Sequence, residues 1–127
     1  MIVYLAAPID FAKGTEIARL KAEVKESYKD KAWVYDPSAA WTAPTDLVPD
    51  GTVHDANLAV LSRSDVVIAV LVRGILTVGT VLEIQHAVDH NIPVVVLGDI
   101  GQNSVALAEL EVPVVASMKE FEGDWNE

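Results

Sequence analysis

With no cysteine in the chain, thiolate nucleophiles, disulfides and Cys-based zinc sites are excluded, so the search for chemistry turns to carboxylates. One stands out. In Gly79-Thr80-Val81-Leu82-Glu83-Ile84 a glutamate follows a threonine by three residues, just after an apolar run and a short loop. Two readings of this spacing compete. In a capping box, Thr80 caps a helix and Glu83 reaches back to its amide, which requires no activity. In the other, Glu83 stands in the first turn of a helix at the carboxyl end of a strand. There it is kept ionised by the helix amides and dipole and can attack an electrophilic carbon.

Other reactive patterns are missing. There is no G-x-G-x-x-G after the first apolar run, no G-x-x-x-x-G-K-[ST] and no G-x-S-x-G. The histidines His54, His86 and His90 form no metal-ligand pattern, and His86 and His90, one helical turn apart, read as solvated helix residues. A phosphoreceiver aspartate is absent from the end of the third apolar run, which reads Leu71-Val72-Arg73.

The elements that must hold Glu83 follow from periodicity. Ile2–Ala6 reads as a strand ending at Ala7-Pro8, and Lys13–Lys29 as a helix with Ile17, Leu20, Ala22 and Val24 inside. Trp33–Tyr35 is a second strand closed by Asp36-Pro37, followed by a long loop broken by Pro44, Pro49 and Gly51. Thr52–Arg63 is a helix. Val66–Val72 has no polar alternation and reads as a strand buried on both faces. A helix beginning at Gly79-Thr80 runs to about His90-Asn91. The strand Ile92–Leu97, a short helix ending at Leu110 and the strand Val112–Val115 complete the pattern, with an acidic tail at 119–127. Strand-helix-strand repetition predicts right-handed crossovers and one α/β domain over residues 1–127. The expected architecture is a flavodoxin- or Rossmann-like three-layer sandwich, with a five-stranded parallel sheet in the order 2-1-3-4-5. The ligand crevice then lies at the carboxyl ends of the strands, among Ala7-Pro8-Ile9-Asp10, Arg73 to Thr80 and Gly98 to Asn103.

Composition bounds the partners. The 127 residues are 51% hydrophobic, enough for a core, and the net charge of −10 makes duplex nucleic acid a poor partner. The first residues lack a basic leader, and no apolar run is long enough to span a bilayer, so the expected location is the cytoplasm.

Four segments in register resemble the nucleoside 2-deoxyribosyltransferases, whose superfamily includes deoxynucleoside 5′-monophosphate N-glycosidases. Tyr4-Leu5-Ala6-Ala7-Pro8 is similar to their opening Y-L-A-G/A-P, and Tyr35-Asp36-Pro37 to the end of their second strand. Asn57-Leu58-Ala59-Val60-Leu61-Ser62-Arg63-Ser64-Asp65 resembles D-L-x-x-I-x-x-A-D, and Gly79-Thr80-Val81-Leu82-Glu83-Ile84 resembles G-T/S-A-x-E-L/I. The similarity spans roughly residues 2 to 107. It implies that Glu83 is the nucleophile toward C1′ of a (deoxy)ribosyl group and that Tyr4 orients its carboxylate. It implies that Asn57 meets the base, and that Asn103 enters a neighbouring subunit's site in a homo-oligomer, a dimer or higher. Ala7, Pro8, Asp10, Thr77, Gly79 and Thr80 would line the substrate site, with Trp41 stacked on a base. The substrate would be a small nucleoside or nucleotide, and the chemistry requires no metal or organic cofactor. Each assignment has a structural alternative. Tyr4 is also an ordinary strand aromatic, Trp41 a loop aromatic folded over the core, and Asn103 a helix cap. Asp65 reads as structural.

The chain departs from the pattern at two positions. Asn57 stands where the family usually has aspartate; an amide can hydrogen-bond a base edge but cannot act as a general acid. Asp55, two residues away on the helix, faces elsewhere. Thr77 stands where transferases often carry aspartate and the monophosphate glycosidases serine, which favours a nucleotide. Pro8-Ile9-Asp10-Phe11 points the other way, because Asp10 repels phosphate, unless Arg73 compensates. The expectation is a transferase that passes the sugar to another base. The alternatives are an N-glycoside hydrolase of nucleoside 5′-monophosphates and a non-catalytic nucleotide-binding or sensing module.

Overall fold

The structure is a computed structural model that describes residues 1–7, 15–37, 52–72, 78–98 and 112–119. Five strands, β1 (Ile2–Ala6), β2 (Trp33–Tyr35), β3 (Val66–Val70), β4 (Val94–Leu97) and β5 (Val114–Val115), form one sheet. All neighbours are parallel and the order is β2-β1-β3-β4-β5, as the sequence predicts. The helices are α1 (Thr15–Ser27), α2 (Thr52–Leu61) and α3 (Val78–Asp89). The short helix expected before Leu110, most of the long loop after β2 and nearly all of the acidic tail lie outside the described residues.

The alternation of strand side chains sorts the core into two layers. On one face, Val3, Leu5, Val66, Ile68, Val70, Val95 and Leu97 pack against Ile17, Leu20 and Val24 of α1 and against Met118. On the other, Tyr4, Ala6, Tyr35, Val67, Ala69, Val94 and Val96 meet Leu61 of α2 with Ile84 and Ala87 of α3. In each helix the buried residues recur at helical spacing: Ile17, Leu20 and Val24 in α1, Asn57 and Leu61 in α2, Thr80, Ile84 and Ala87 in α3. Ala22, expected inside, is exposed, because two residues from Leu20 and from Val24 it falls on the opposite side of the helix from the buried stripe.

The elements are shorter than the periodicity suggests. β3 stops at Val70, β4 begins at Val94 and β5 at Val114, although Leu71, Pro93 and Pro113 still share backbone hydrogen bonds with the neighbouring strands, so the apolar pattern runs on past the regular strand. The α3 helix ends in left-handed backbone at Asn91 (φ 57°), a residue type that tolerates this conformation. Gly98, just after β4, has φ 136°; a Cβ there would lie 2.1 Å from the Leu71 carbonyl oxygen, so only glycine lets the chain leave the sheet beside β3. No helix among the described residues is long and apolar enough to cross a membrane.

Candidate active site

Tyr4 and Tyr35 sit at paired positions on the neighbouring strands β1 and β2 and point to the same face of the sheet. Their ring centroids are 5.5 Å apart and tilted by 33°, and Trp33 meets Tyr35 edge-on at 5.7 Å. Each hydroxyl reaches a side chain on a different helix. Tyr4 donates to Oε2 of Glu83 on α3. Tyr35 donates to Oδ1 of Asn57 on α2 at 2.8 Å, within the buried layer. The α2 and α3 helices pack beside each other, and α3 lies over β1, β3 and β4. Two strands and two helices therefore bring four polar side chains together beneath the helix layer. Ala6 and Ala69, at paired positions on β1 and β3 on this face, keep the side chains small toward the carboxyl ends of the central strands.

The α3 helix starts at Val78, which changes the expected role of its first residues. Thr80 lies inside the first turn rather than capping it, and Glu83 is the sixth residue, beyond the first turn. The capping box is therefore not formed: the Glu83 carboxylate engages Tyr4 rather than a helix-terminal amide. Nor is the carboxylate held ionised by the helix start. Burial pushes its pKa up from 4.5 to about 7, and the Tyr4 hydrogen bond opposes this only in part. Tyr4 is held neutral because its phenolate would be desolvated beside the Glu83 carboxylate, so it acts as a donor. Thr80 is 2% exposed and its buried Oγ1 has no hydrogen-bond partner among the described residues, an uncommon state for a hydroxyl.

The structure brings Tyr4, Asn57 and Glu83 to one region, with Thr80 one turn before Glu83; Ala7, buried just after β1, packs in the opposite layer, on the α1 side of the sheet. Gly79 falls in the first turn of α3. Pro8, Asp10, Trp41, Thr77 and Asn103, together with Arg73, lie outside the described residues. Asp65 has a structural role: its Oδ2 accepts from the Ile2 amide at 2.7 Å and its own amide donates to the Ile2 carbonyl, tying the starts of β1 and β3. His86 and His90 lie at the solvent side of the helix, half-buried and exposed respectively, and contact each other. Their rings stack at 4.0 Å, His86 Nε2 lies 3.0 Å from Ser62 Oγ, and His90 Nδ1–H donates to the His86 carbonyl.

Two features escape a reading of the sequence. One is the Tyr35–Asn57 hydrogen bond. The available signal was an aromatic at the carboxyl end of β2, in the same position relative to its strand as a residue next to Tyr4. The other is the buried Asp36 carboxylate, which Lys21 and Lys25 of α1 reach at 3.0 and 2.9 Å. Tyr35 on one face and Asp36 on the other thus anchor the end of the short edge strand β2 to both helix layers.

No protein-family model matches the chain, and no curated protein matches it. Solved structures do. A 2-deoxyribosyltransferase from the psychrotolerant bacterium Bacillus psychrosaccharolyticus superposes with a TM-score of 0.78 at 15% identity, over 96% of this chain and 90% of that one. A conserved protein from Enterococcus faecalis V583 gives 0.74 at 19% identity, over 95% and 94%. The CMP N-glycosidase of Clostridium botulinum gives 0.60 at 18% identity, over 98% and 96%. The chain has the fold of these proteins along nearly its whole length, and the resemblance read from its four motifs is met at the level of that fold.

Proposed function

We propose that this protein is an enzyme that cleaves the N-glycosidic bond of a (deoxy)nucleoside through a glycosyl-Glu83 intermediate and passes the sugar to another base. The observation that carries the reading is the pair of buried Tyr4 and half-buried Glu83, a neutral donor on a carboxylate under the helix layer. A carboxylate with a pKa of about 7 is roughly half ionised at neutral pH, and partial desolvation leaves its anion more reactive than one in water. Tyr4 holds Oε2 and so orients the other oxygen for attack on C1′. The C1′–N bond breaks as the C1′–O bond forms. The resulting ester is then opened by a second base, in the double-displacement manner of retaining glycosidases. Asn57 stands beside the base as a hydrogen-bonding group and not as an acid.

The fold match to a 2-deoxyribosyltransferase at a TM-score of 0.78 supports transfer. A second reading, hydrolysis of (deoxy)nucleoside 5′-monophosphates, is supported by Thr77 and by the match to a CMP N-glycosidase. The non-catalytic sensing module is the third. In either enzymatic reading Ala7, Pro8, Asp10, Trp41, Gly79, Thr80 and Asn103 line the substrate site, Asn103 from a neighbouring copy of the chain. Self-association is supported by Val81 and Leu82, which leave an apolar outer surface on α3 at 45% and 56% exposure.

The test is base release, followed by chromatography, from a panel of deoxynucleosides, ribonucleosides and their 5′-monophosphates, with and without added adenine. Release that depends on Glu83 and on adenine supports the transferase; release without an acceptor supports the hydrolase. Ligand binding without turnover, retained in Glu83→Ala, supports the sensing module and removes the enzyme.

A further inference from the structure

We infer that Tyr35 is a positioning residue for the departure of the base: by donating its hydroxyl to Oδ1 of Asn57 it turns the amide nitrogen of Asn57 toward the base that Glu83 displaces. This deepens the glycosyl reading above and rests on it.

Three observations carry the inference. First, Tyr35 and Asn57 are 9% and 6% exposed, and their hydrogen bond of 2.8 Å lies within the buried layer, away from competing water. Second, the carboxamide has one acceptor and one donor end. With the oxygen held by Tyr35, the nitrogen is the end turned away from the tyrosine. Third, Tyr4 and Tyr35 form side-by-side arms. Neighbouring rings 5.5 Å apart hold Glu83 on one hydroxyl and Asn57 on the other, so the nucleophile and the amide donor are set by one rigid element. Trp33, edge-on against the Tyr35 ring, fixes the second arm as the sheet fixes the first.

The chemistry follows from what an amide can do. When a Glu83 oxygen forms its bond to C1′, the electron pair of the C1′–N bond passes to the base, and negative charge spreads over the ring nitrogens and carbonyl oxygens. An N–H of Asn57 can hydrogen-bond an acceptor next to the departing nitrogen and lower the energy of that charge without transferring a proton. The proton that finally neutralises the base comes from water. Activity of this kind depends steeply on the base. An adenine or guanine nucleoside needs the donor most. A nucleoside of 7-methylguanine, which leaves as a neutral molecule, needs it least.

The experiment compares base release from adenine, guanine and 7-methylguanine nucleosides of one sugar by the wild-type chain and by Tyr35→Phe, which keeps the ring and removes the hydroxyl. The expected result is a loss on the order of tenfold in kcat/KM for adenine and guanine, and a distinctly smaller loss for 7-methylguanine. A purely structural hydroxyl would lower all three alike, and that outcome, or no change in any of them, overturns the inference. Asn57→Asp gives an independent readout that does not require removing Tyr35. It keeps an acceptor for the tyrosine and adds a protonatable group. The dependence on the base should flatten and a falling limb should appear in the pH profile; an unaltered dependence counts equally against the inference. If wild type releases no base, even 7-methylguanine, the glycosyl reading itself has failed and the inference falls with it, a result distinct from an active enzyme indifferent to Tyr35.

Discussion

Replacing Glu83 with glutamine should make the protein more stable at neutral and alkaline pH, and the size of the gain follows from the burial of the carboxylate. In the folded state the Glu83 pKa is raised from 4.5 to about 7, chiefly by desolvation. Between these values the unfolded chain has lost the proton while the folded chain keeps it, so stability falls as pH rises through that window. The stabilisation of the protonated form is fully present below pH 4.5 and gone above about 7. Integrated over the window this is worth about 3 kcal/mol. That is an upper figure, because the side chain is only partly buried and water screens what remains in contact with it. Glutamine keeps an oxygen for the Tyr4 hydroxyl and has no charge to bury. Wild type and Glu83→Gln should therefore differ in stability by an amount that grows with pH. It should be smallest near pH 4.5 and reach up to about 3 kcal/mol by pH 8, or roughly 10 °C in Tm for a chain of this size. Urea denaturation of both proteins at half-unit steps from pH 4.5 to 8.5 measures the difference directly. Two stability curves that run parallel across the whole range would refute the argument, since they would mean that Glu83 ionises in the fold as easily as in the unfolded chain. The variant should release no base at any pH, so stability and activity should move in opposite directions.

Further expectations come from single contacts. Tyr4→Phe removes the hydrogen bond that lowers the Glu83 pKa, so the rising limb of the pH–activity profile should move upward from its wild-type position near pH 7. Activity at pH 7 should then drop on the order of tenfold or more and recover in part at higher pH. Thr80→Val keeps the shape of a side chain whose hydroxyl is buried without a partner. It should raise stability by about 1 kcal/mol in thermal or urea unfolding, and a loss of stability would show that the hydroxyl is satisfied in solution. Gly98→Ala places a Cβ against the Leu71 carbonyl at a backbone angle that L-residues rarely adopt. It should destabilise by about 3 kcal/mol or more, seen as a large fall in the urea midpoint.

How much of this was legible in the sequence depends on the range of each signal. The five apolar runs mark all five strands, because strand burial is a local property of the chain, and their alternation with helices implies a parallel sheet; the observed order is one of several that right-handed crossovers allow. The start of α3 was read late: Thr77, a residue type that caps helices, directly precedes Val78, but Thr80 and Glu83 imitate a capping box and drew the expected start to Gly79-Thr80. That shift turned Glu83 from a residue of the second turn into one of the first and reversed the inferred direction of its pKa. Contacts between elements were the least legible. Tyr4 meets Glu83 across 79 positions and Tyr35 meets Asn57 across 22, and no periodicity within a window reports such pairs. The first pair was named only because a family resemblance supplied it. The second had no such prompt and needed the register between β1 and β2, which sets the two tyrosines side by side.

The distribution of unfavourable groups bears on where the chemistry sits. The sheet face under α1 packs Val3, Leu5, Val66, Ile68, Val70, Val95 and Leu97 against aliphatic helix residues and Tyr28, and the buried Asp36 carboxylate on that side is matched by Lys21 and Lys25. The opposite layer carries Asn57, Thr80 and Glu83 among its buried and half-buried helix positions, and of these only Asn57 has a partner that leaves no electrostatic cost. A layer selected for stability alone would have aliphatic residues at positions 80 and 83, where the α3 stripe meets the sheet. Both costs fall within a single turn of α3, over the two central strands whose carboxyl ends carry the small residues Ala6 and Ala69. Reducing the two costs should have separable consequences. Thr80→Val would add stability and report through binding whether its hydroxyl serves a ligand. Glu83→Gln would add stability at neutral pH and abolish turnover, so comparing the two variants tells a cost retained for catalysis from one incurred by packing.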